Sequence, residues 1–100
     1  MPSNAELQKL VSLYGKSLFA EALVEGRRLL ARYADDPMLN NMVGVLHARL
    51  GQVDDALACY AKALSLKPRY AEALNNRGNL LSRLGRHEDA IASFHEAIEI

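Results

Sequence analysis

Apolar residues recur along this chain at the spacing of helices that bury one face. Over residues 39–50 they fall three and four positions apart, and Gly51 follows the last of them. This spacing predicts a helix that ends at the glycine, because the residue past a helix end often takes a left-handed conformation. A second apolar stripe covers residues 56–66, after two aspartates that suit a first helical turn and before Pro68. The pattern therefore predicts two helices joined by a short turn.

The same two-helix pattern returns 34 residues later. When residues 37–66 are laid over residues 71–100, ten of the thirty positions are identical without a gap, and both glycines of the pattern are among them. A fixed period of this length is typical of repeat proteins, in which each helical hairpin covers an apolar face of its neighbour. The repeat therefore predicts a stack of hairpins.

The start of the chain is a weaker copy of this unit. Leu10 stands where the later units have glycine, and Gly26 stands where they have an aromatic residue. Terminal repeats are often atypical because one of their faces meets solvent. The whole chain is thus expected to form a single domain of a degenerate unit 1, a full unit 2 and a unit 3 without its end. Their boundaries are 3–36, 37–70 and 71–100.

The end of the chain has no polar helix of the kind that usually closes such an array. Four residues of the last period are missing after Ile100. We therefore expect this chain to be the N-terminal part of a longer protein. We also expect its uncapped last helix to allow self-association into a homo-oligomer.

Residue types agree with the pattern. Alanine and leucine supply 15 and 17 residues, valine and isoleucine together supply only 8, and threonine is absent. Strands favour β-branched and aromatic residues, whereas helices favour alanine, leucine and long charged residues. The predicted fold class is all-α, an α-solenoid of about three helix-turn-helix units.

Charge and cysteine content exclude several classes of function. Twelve basic and twelve acidic residues cancel, so the uniform positive field of a nucleic-acid binder is absent. The single Cys59 excludes an internal disulfide. No apolar run is long enough to predict a membrane span, and the first ten residues show no secretory signal pattern. We expect a cytoplasmic protein that binds neither nucleic acid nor membrane.

Residues that often carry chemistry are poorly placed for it. His87 and His95 are eight positions apart, which is not the spacing at which two imidazoles on one helix share a zinc ion. Nothing in the sequence supplies an oriented base for Cys59 as a nucleophile. We therefore predict no metal site, no cofactor and no catalysis.

The inner surface of the stack offers a better candidate. In a solenoid of helix pairs, the first helix of each pair lines the concave side. Amides on that side can pair with a peptide backbone, and arginines can hold carboxylates with two hydrogen bonds. The alternative is that these side chains are merely solvated surface. The predicted stripe contains Asn41, Val45, Ala48 and Arg49 in unit 2 and Asn75, Asn79, Ser82 and Arg83 in unit 3. Of these residues, Ala48 and Ser82 are not among the predicted contacts.

The small, aromatic and proline positions resemble those of the tetratricopeptide repeat. That family is an α-solenoid, and the resemblance implies a protein–protein interaction scaffold that binds a peptide or partner segment in its concave groove. The matching residues are Gly44, Ala56, Tyr60, Ala63 and Pro68, followed by Gly78, Ala90, Phe94 and Ala97.

The segment from Asn75 to Asn79 has a narrower resemblance. It is similar to the repeats of O-linked N-acetylglucosamine transferases and of bacterial repeat proteins fused to glycosyltransferase or sulfotransferase domains. The resemblance implies that Asn76 and Asn79 contact a substrate backbone. Their equivalents in unit 2 are Met42 and Val45, so the row of asparagines is interrupted. Carboxylate-clamp repeats use lysines on the inner stripe, and none of the four lysines falls there.

Three functions are therefore open. The first is an interaction scaffold that binds protein or peptide in the groove. The second is a substrate-presenting arm of a larger enzyme resembling glycosyltransferases or sulfotransferases, with catalysis elsewhere. The third is a module for self-association alone.

Overall fold

The computed structural model describes residues 1–100 and contains six helices and no strand. Consecutive helices pack in pairs, and the second helix of each pair also packs on the first helix of the next. This architecture confirms the predicted all-α solenoid. The helices are α1 (Asn4–Gly15), α2 (Phe19–Arg32), α3 (Pro37–Arg49), α4 (Val53–Leu66), α5 (Ala71–Arg83) and α6 (His87–Ile98).

The turns inside the hairpins use the left-handed backbone conformation. Gly51 and Gly85 have φ angles of 74° and 79°, which glycine adopts without a steric penalty. In unit 1 the equivalent residue is Ser17, which has a φ of 59°. A side chain is disfavoured in this region, so the first turn carries strain that the later turns avoid.

Close approach of paired helices explains the repeated glycine and aromatic positions. A Cβ placed on Gly44 would lie 2.6 Å from Cε1 of Tyr60, and one placed on Gly78 would lie 2.6 Å from Cε1 of Phe94. Both distances are shorter than carbon atoms tolerate. Only glycine therefore lets each aromatic ring lie against the first helix of its own hairpin.

Unit 1 reverses this arrangement. The large residue, Leu10, lies on the first helix and is fully buried, while Gly26 lies on the second. A Cβ on Gly26 would lie 2.9 Å from Cγ2 of Val43 and 3.7 Å from Cδ1 of Leu10. The glycine thus admits Val43 of α3 in the next unit, while a Cβ would meet Leu10 only at ordinary contact distance.

The larger of two clusters of buried apolar residues lies at the first of the two junctions between units. The smaller cluster, at the second junction, contains Ala56, Tyr60 and Leu80. The larger cluster contains seven residues, which are Leu10, Ala22, Leu23, Leu29, Leu39, Val43 and Leu46.

Polar contacts hold α1 on α2. Glu6 accepts hydrogen bonds from Arg32 and from the Tyr33 hydroxyl, both at 3.0 Å, and it completes a capping box with Ser3. The hydrogen bond from the Ser3 backbone, with those from Tyr33 and the charge of Arg32, lowers the pKa of Glu6.

None of the six helices combines the length and the apolar character that a membrane-spanning helix requires.

Candidate functional site

The first helices of the three units share one face, and two adjoining cavities open there. We name them cavity A and cavity B, and together they form the inner groove. Cavity A has a volume of about 330 Å³. Its lining residues are Leu10, Tyr14, Asn41, Met42, Val45, Leu46, Arg49 and Asn76.

Cavity B lies farther along the groove, where unit 2 meets unit 3. Its volume is about 180 Å³. Val45, Arg49 and Asn76 also line cavity A, so the two cavities are neighbours that share these side chains. The residues that line cavity B are Val45, Ala48, Arg49, Tyr60, Asn76, Asn79, Leu80 and Arg83.

The structure places most of the predicted site residues in this groove. Asn75 is the exception, because it is exposed and lines neither cavity. It lies one helical turn before Asn79 on α5. The six predicted residues that the groove brings together are Asn41, Val45, Arg49, Asn76, Asn79 and Arg83.

Asn41 has a structural bond in addition to its place in the groove. It is only 4% exposed, and its Oδ1 accepts a hydrogen bond from Nδ2 of Asn76 at 3.1 Å. The pair joins α3 to α5 across the junction between units. Asn76 keeps a second N–H and its own carbonyl oxygen for other partners.

Arg49 is oriented by aromatic neighbours from unit 1. Its Nη2 donates to the Tyr14 hydroxyl at 3.4 Å, and its guanidinium carbon lies 5.8 Å from the centre of the Phe19 ring. The two rings meet edge to face, with their centres 5.5 Å apart. Such contacts restrict the guanidinium without neutralising its charge.

Sequence reasoning missed Leu10, Tyr14 and Met42 as groove residues. Tyr14 is the repeat equivalent of Ala48, which belongs to the predicted inner stripe, so the 34-residue period contained the signal. The degenerate sequence of unit 1 obscured it.

The groove carries unbalanced positive charge. No aspartate or glutamate lines either cavity, whereas Arg49 and Arg83 both do. Neither arginine pairs with a carboxylate, although arginines elsewhere on the surface do, and Arg28 and Arg86 are examples. In a chain with no net charge, this face is selectively cationic.

The remaining reactive side chains do not form a second site. Burial, together with the charge of Asp55, raises the pKa of the Cys59 thiol, so it is protonated at neutral pH. The Nδ1 of His47 lies 2.7 Å from Oε1 of Gln52, and these side chains form a local pair. No group of three or more histidine, cysteine, aspartate or glutamate side chains is arranged to hold a metal ion.

Comparison with known sequences finds relatives over the whole chain. The family model described as tetratricopeptide repeat matches residues 36–100. The Photosystem I assembly protein Ycf3 of Rippkaea orientalis is 29% identical over 117 residues, covering 99% of this chain and 67% of its own length. The ycf37 protein of Pyropia yezoensis is 34% identical over 70 residues, which cover 61% of this chain and 39% of that protein.

Comparison with solved structures finds the same fold. The second TPR of Spaghetti (RPAP3), bound to the HSP90 peptide SRMEEVD, superposes with a TM-score of 0.87. The match covers 94% of this chain and 87% of that one, at 17% sequence identity. At this identity the likeness establishes the fold alone.

Proposed function

Because the chain belongs to the tetratricopeptide repeat family, we propose that it is an interaction scaffold that binds a partner segment in the inner groove. One observation carries the proposal. Arg49 and Arg83 line a groove without any carboxylate, and neither has an acidic partner of its own. The partner is therefore a protein or peptide with acidic groups. The proposal assigns no catalytic step to these residues.

Each part of the groove suits a different part of such a segment. Asn76 and Asn79 offer amide groups to the backbone of an extended peptide, which they can contact as donors and acceptors. Arg49 and Arg83 suit carboxylates because the guanidinium fork can donate two parallel hydrogen bonds. The aliphatic wall of cavity A, which includes Met42, suits an apolar side chain.

The compared proteins support the class of partner. The RPAP3 domain is bound to SRMEEVD, a peptide with three acidic side chains, and Ycf3 is named as an assembly protein. The inner stripe of the present chain carries arginines and no lysine, so the register of an acidic peptide need not be the same as in that complex.

A peptide array tests the proposal. The purified chain should select acidic peptides, whose affinities are then measured by fluorescence polarisation. Changing both Arg49→Ala and Arg83→Ala should weaken binding by about tenfold or more while the melting temperature stays nearly unchanged. If this double variant unfolds, the arginines are structural.

A matched double variant controls for total charge. Arg27 and Arg69 are exposed, unpaired and outside the groove. Changing both to alanine removes the same charge and should alter the affinity by less than about twofold, because neither side chain lines the groove. Equal weakening by the two double variants would contradict the proposal.

A second candidate function is self-association through α6. Ile91 and Ile98 are 56% and 81% exposed. Leu57, the repeat equivalent of Ile91, packs against the junction between units 2 and 3. Sedimentation velocity should therefore show a mass that rises with concentration, and changing both Ile91→Lys and Ile98→Lys should abolish the rise. A constant monomer mass would exclude this function.

A further inference from the structure

Cavity B contains a tyrosine hydroxyl that has no hydrogen-bond partner in the protein. Tyr60 is 2% exposed, its ring lies against Gly44, and it lines cavity B. No protein group hydrogen-bonds to its hydroxyl, which is not sealed from solvent. The ring is buried, but the hydroxyl reaches solvent, and Tyr60 lines the cavity where a ligand would lie.

Packing does not require that hydroxyl. The repeat equivalent of Tyr60 in unit 3 is Phe94, whose ring makes the same approach to a glycine without an oxygen atom. A phenylalanine would therefore satisfy the hairpin of unit 2. Packing of the hairpin therefore does not account for the hydroxyl oxygen of Tyr60.

Two cations converge on the same space. Arg49 and Arg83 are repeat equivalents on α3 and α5, and both line cavity B. Burial raises the pKa of Tyr60 to about 12, and the charges of both arginines act against that rise, so both lie near the phenol. With Asn79, the cavity gathers donors from α3, α4 and α5 and has no acidic residue.

These donors exceed what one carboxylate needs. A carboxylate carries one negative charge, so it would leave one of the two guanidiniums without compensation. A phosphoryl group on a side chain carries between one and a half and two negative charges near neutral pH and has three strong acceptor oxygens. Two arginine forks, a phenol and an amide match that set in charge and in number of donors.

We propose that cavity B binds the phosphoryl group of a phosphorylated serine or threonine in the bound segment, with Arg49, Arg83 and the Tyr60 hydroxyl as its main donors. This inference rests on the proposed function, because it places the modified residue in a peptide held by the inner groove. The scaffold would then distinguish phosphorylated from unmodified partners.

The test uses the whole chain and three small probes. N-acetyl phosphoserine amide, N-acetyl glutamate amide and inorganic phosphate are titrated into the isotope-labelled protein, and NMR chemical shifts report the site and the affinity. We expect the phosphoserine probe to bind about tenfold tighter than the glutamate probe and to shift the signals around Tyr60 and Asn79. Equal affinity of the two probes would overturn the proposal.

Tyr60→Phe is the decisive variant because it keeps the ring and removes the oxygen. It should weaken phosphoserine binding about tenfold, weaken glutamate binding much less, and leave the melting temperature unchanged. A Tyr60→Phe chain that binds phosphoserine like the wild type would overturn the assignment. Inorganic phosphate that binds as tightly as the phosphoserine probe would show a free anion site and would overturn the peptide assignment.

The peptide array separates this inference from the proposed function. If acidic peptides without phosphate bind the groove and lose affinity in the Arg49 and Arg83 variants, the scaffold function holds even when cavity B shows no preference for phosphoserine. If neither acidic nor phosphorylated peptides bind, both proposals fail.

Discussion

The first hairpin and the two that follow place their large and small packing residues on opposite helices. In units 2 and 3 a glycine on the first helix receives an aromatic ring from the second, as Gly44 receives Tyr60. In unit 1 the large side chain, Leu10, is on the first helix and the glycine, Gly26, is on the second. The comparison shows that the large and the small residue of the hairpin exchange helices between unit 1 and the later units.

The reversal also changes the junctions between units. Gly26 lets Val43 of α3 approach α2 closely, so the first junction is filled by apolar side chains. The second junction has a smaller apolar centre, and cavity B opens beside it with arginines and amides. Unit 1 thus contributes most of the larger apolar cluster and anchors the stack. Both junctions leave room for a ligand, cavity A beside the first and cavity B beside the second.

Replacing Leu10 is the strongest way to break this anchor. Leu10→Ala removes a fully buried side chain and leaves a cavity, so it should lower the free energy of unfolding by about 2–5 kcal/mol. Urea denaturation measures the loss. Leu84, which is 42% exposed, is the control, and Leu84→Ala should cost far less. Similar losses from both would show that unit 1 is not the tighter end.

Filling the glycine position of unit 2 should have the next largest effect. Gly44→Leu forces its Cβ into the Tyr60 ring, and overpacking of this kind costs about 1–3 kcal/mol or more. The matched control is Gly15→Leu, because a Cβ on Gly15 meets nothing within 4 Å. Thermal denaturation of the two variants compares them. If Gly15→Leu is equally damaging, helix propensity rather than close packing explains both.

Substitutions in the turns should change stability by less, and one of them should increase it. Ser17 occupies the left-handed position that Gly51 occupies one repeat later. Ser17→Gly should stabilise the chain by about 1 kcal/mol, and Gly51→Ser should destabilise it by a similar amount. Chemical denaturation of the two variants measures both changes. A destabilised Ser17→Gly chain would mean that the serine side chain contributes more than its backbone strain costs.

Acid should weaken the contacts of Glu6 that hold α1 on α2, and this is the smallest of the expected effects. The pKa of Glu6 in the folded chain is lowered from its ordinary value of 4.5, first by the backbone of Ser3. The stabilisation is therefore complete above pH 4.5 and is lost as the pH falls through the lower folded value. Urea midpoints between neutral and acidic pH should fall less in Glu6→Gln than in the wild type. Glu21→Gln, at an exposed unpaired position, should leave the profile unchanged.

The fold was predictable because its signals are local and repeated. Glycine, aromatic and proline positions returned after 34 residues, and each marks a helix end or a close approach that the structure confirms for Gly44 and Gly51. The groove residues followed from helical spacing on the first helix of each unit. Their role in binding stays a prediction.

The parts that sequence reasoning missed depend on contacts between units. Asn41 was expected to line the groove, which it does, but its hydrogen bond with Asn76, 35 positions away, was not expected. The orientation of Arg49 depends on Tyr14 and Phe19 in the degenerate unit. Spacing within one helix contains no information about which side chain of another unit will arrive beside it.

The Asn41–Asn76 hydrogen bond joins units 2 and 3 at the junction that the groove crosses. A bound segment lying over the junction of units 2 and 3 would contact α3 and α5 together. It would thereby hold the last hairpin against unit 2. Resistance to proteolysis and protection from amide hydrogen exchange in unit 3 would then rise with ligand occupancy. The local stability of unit 3 would therefore report binding directly.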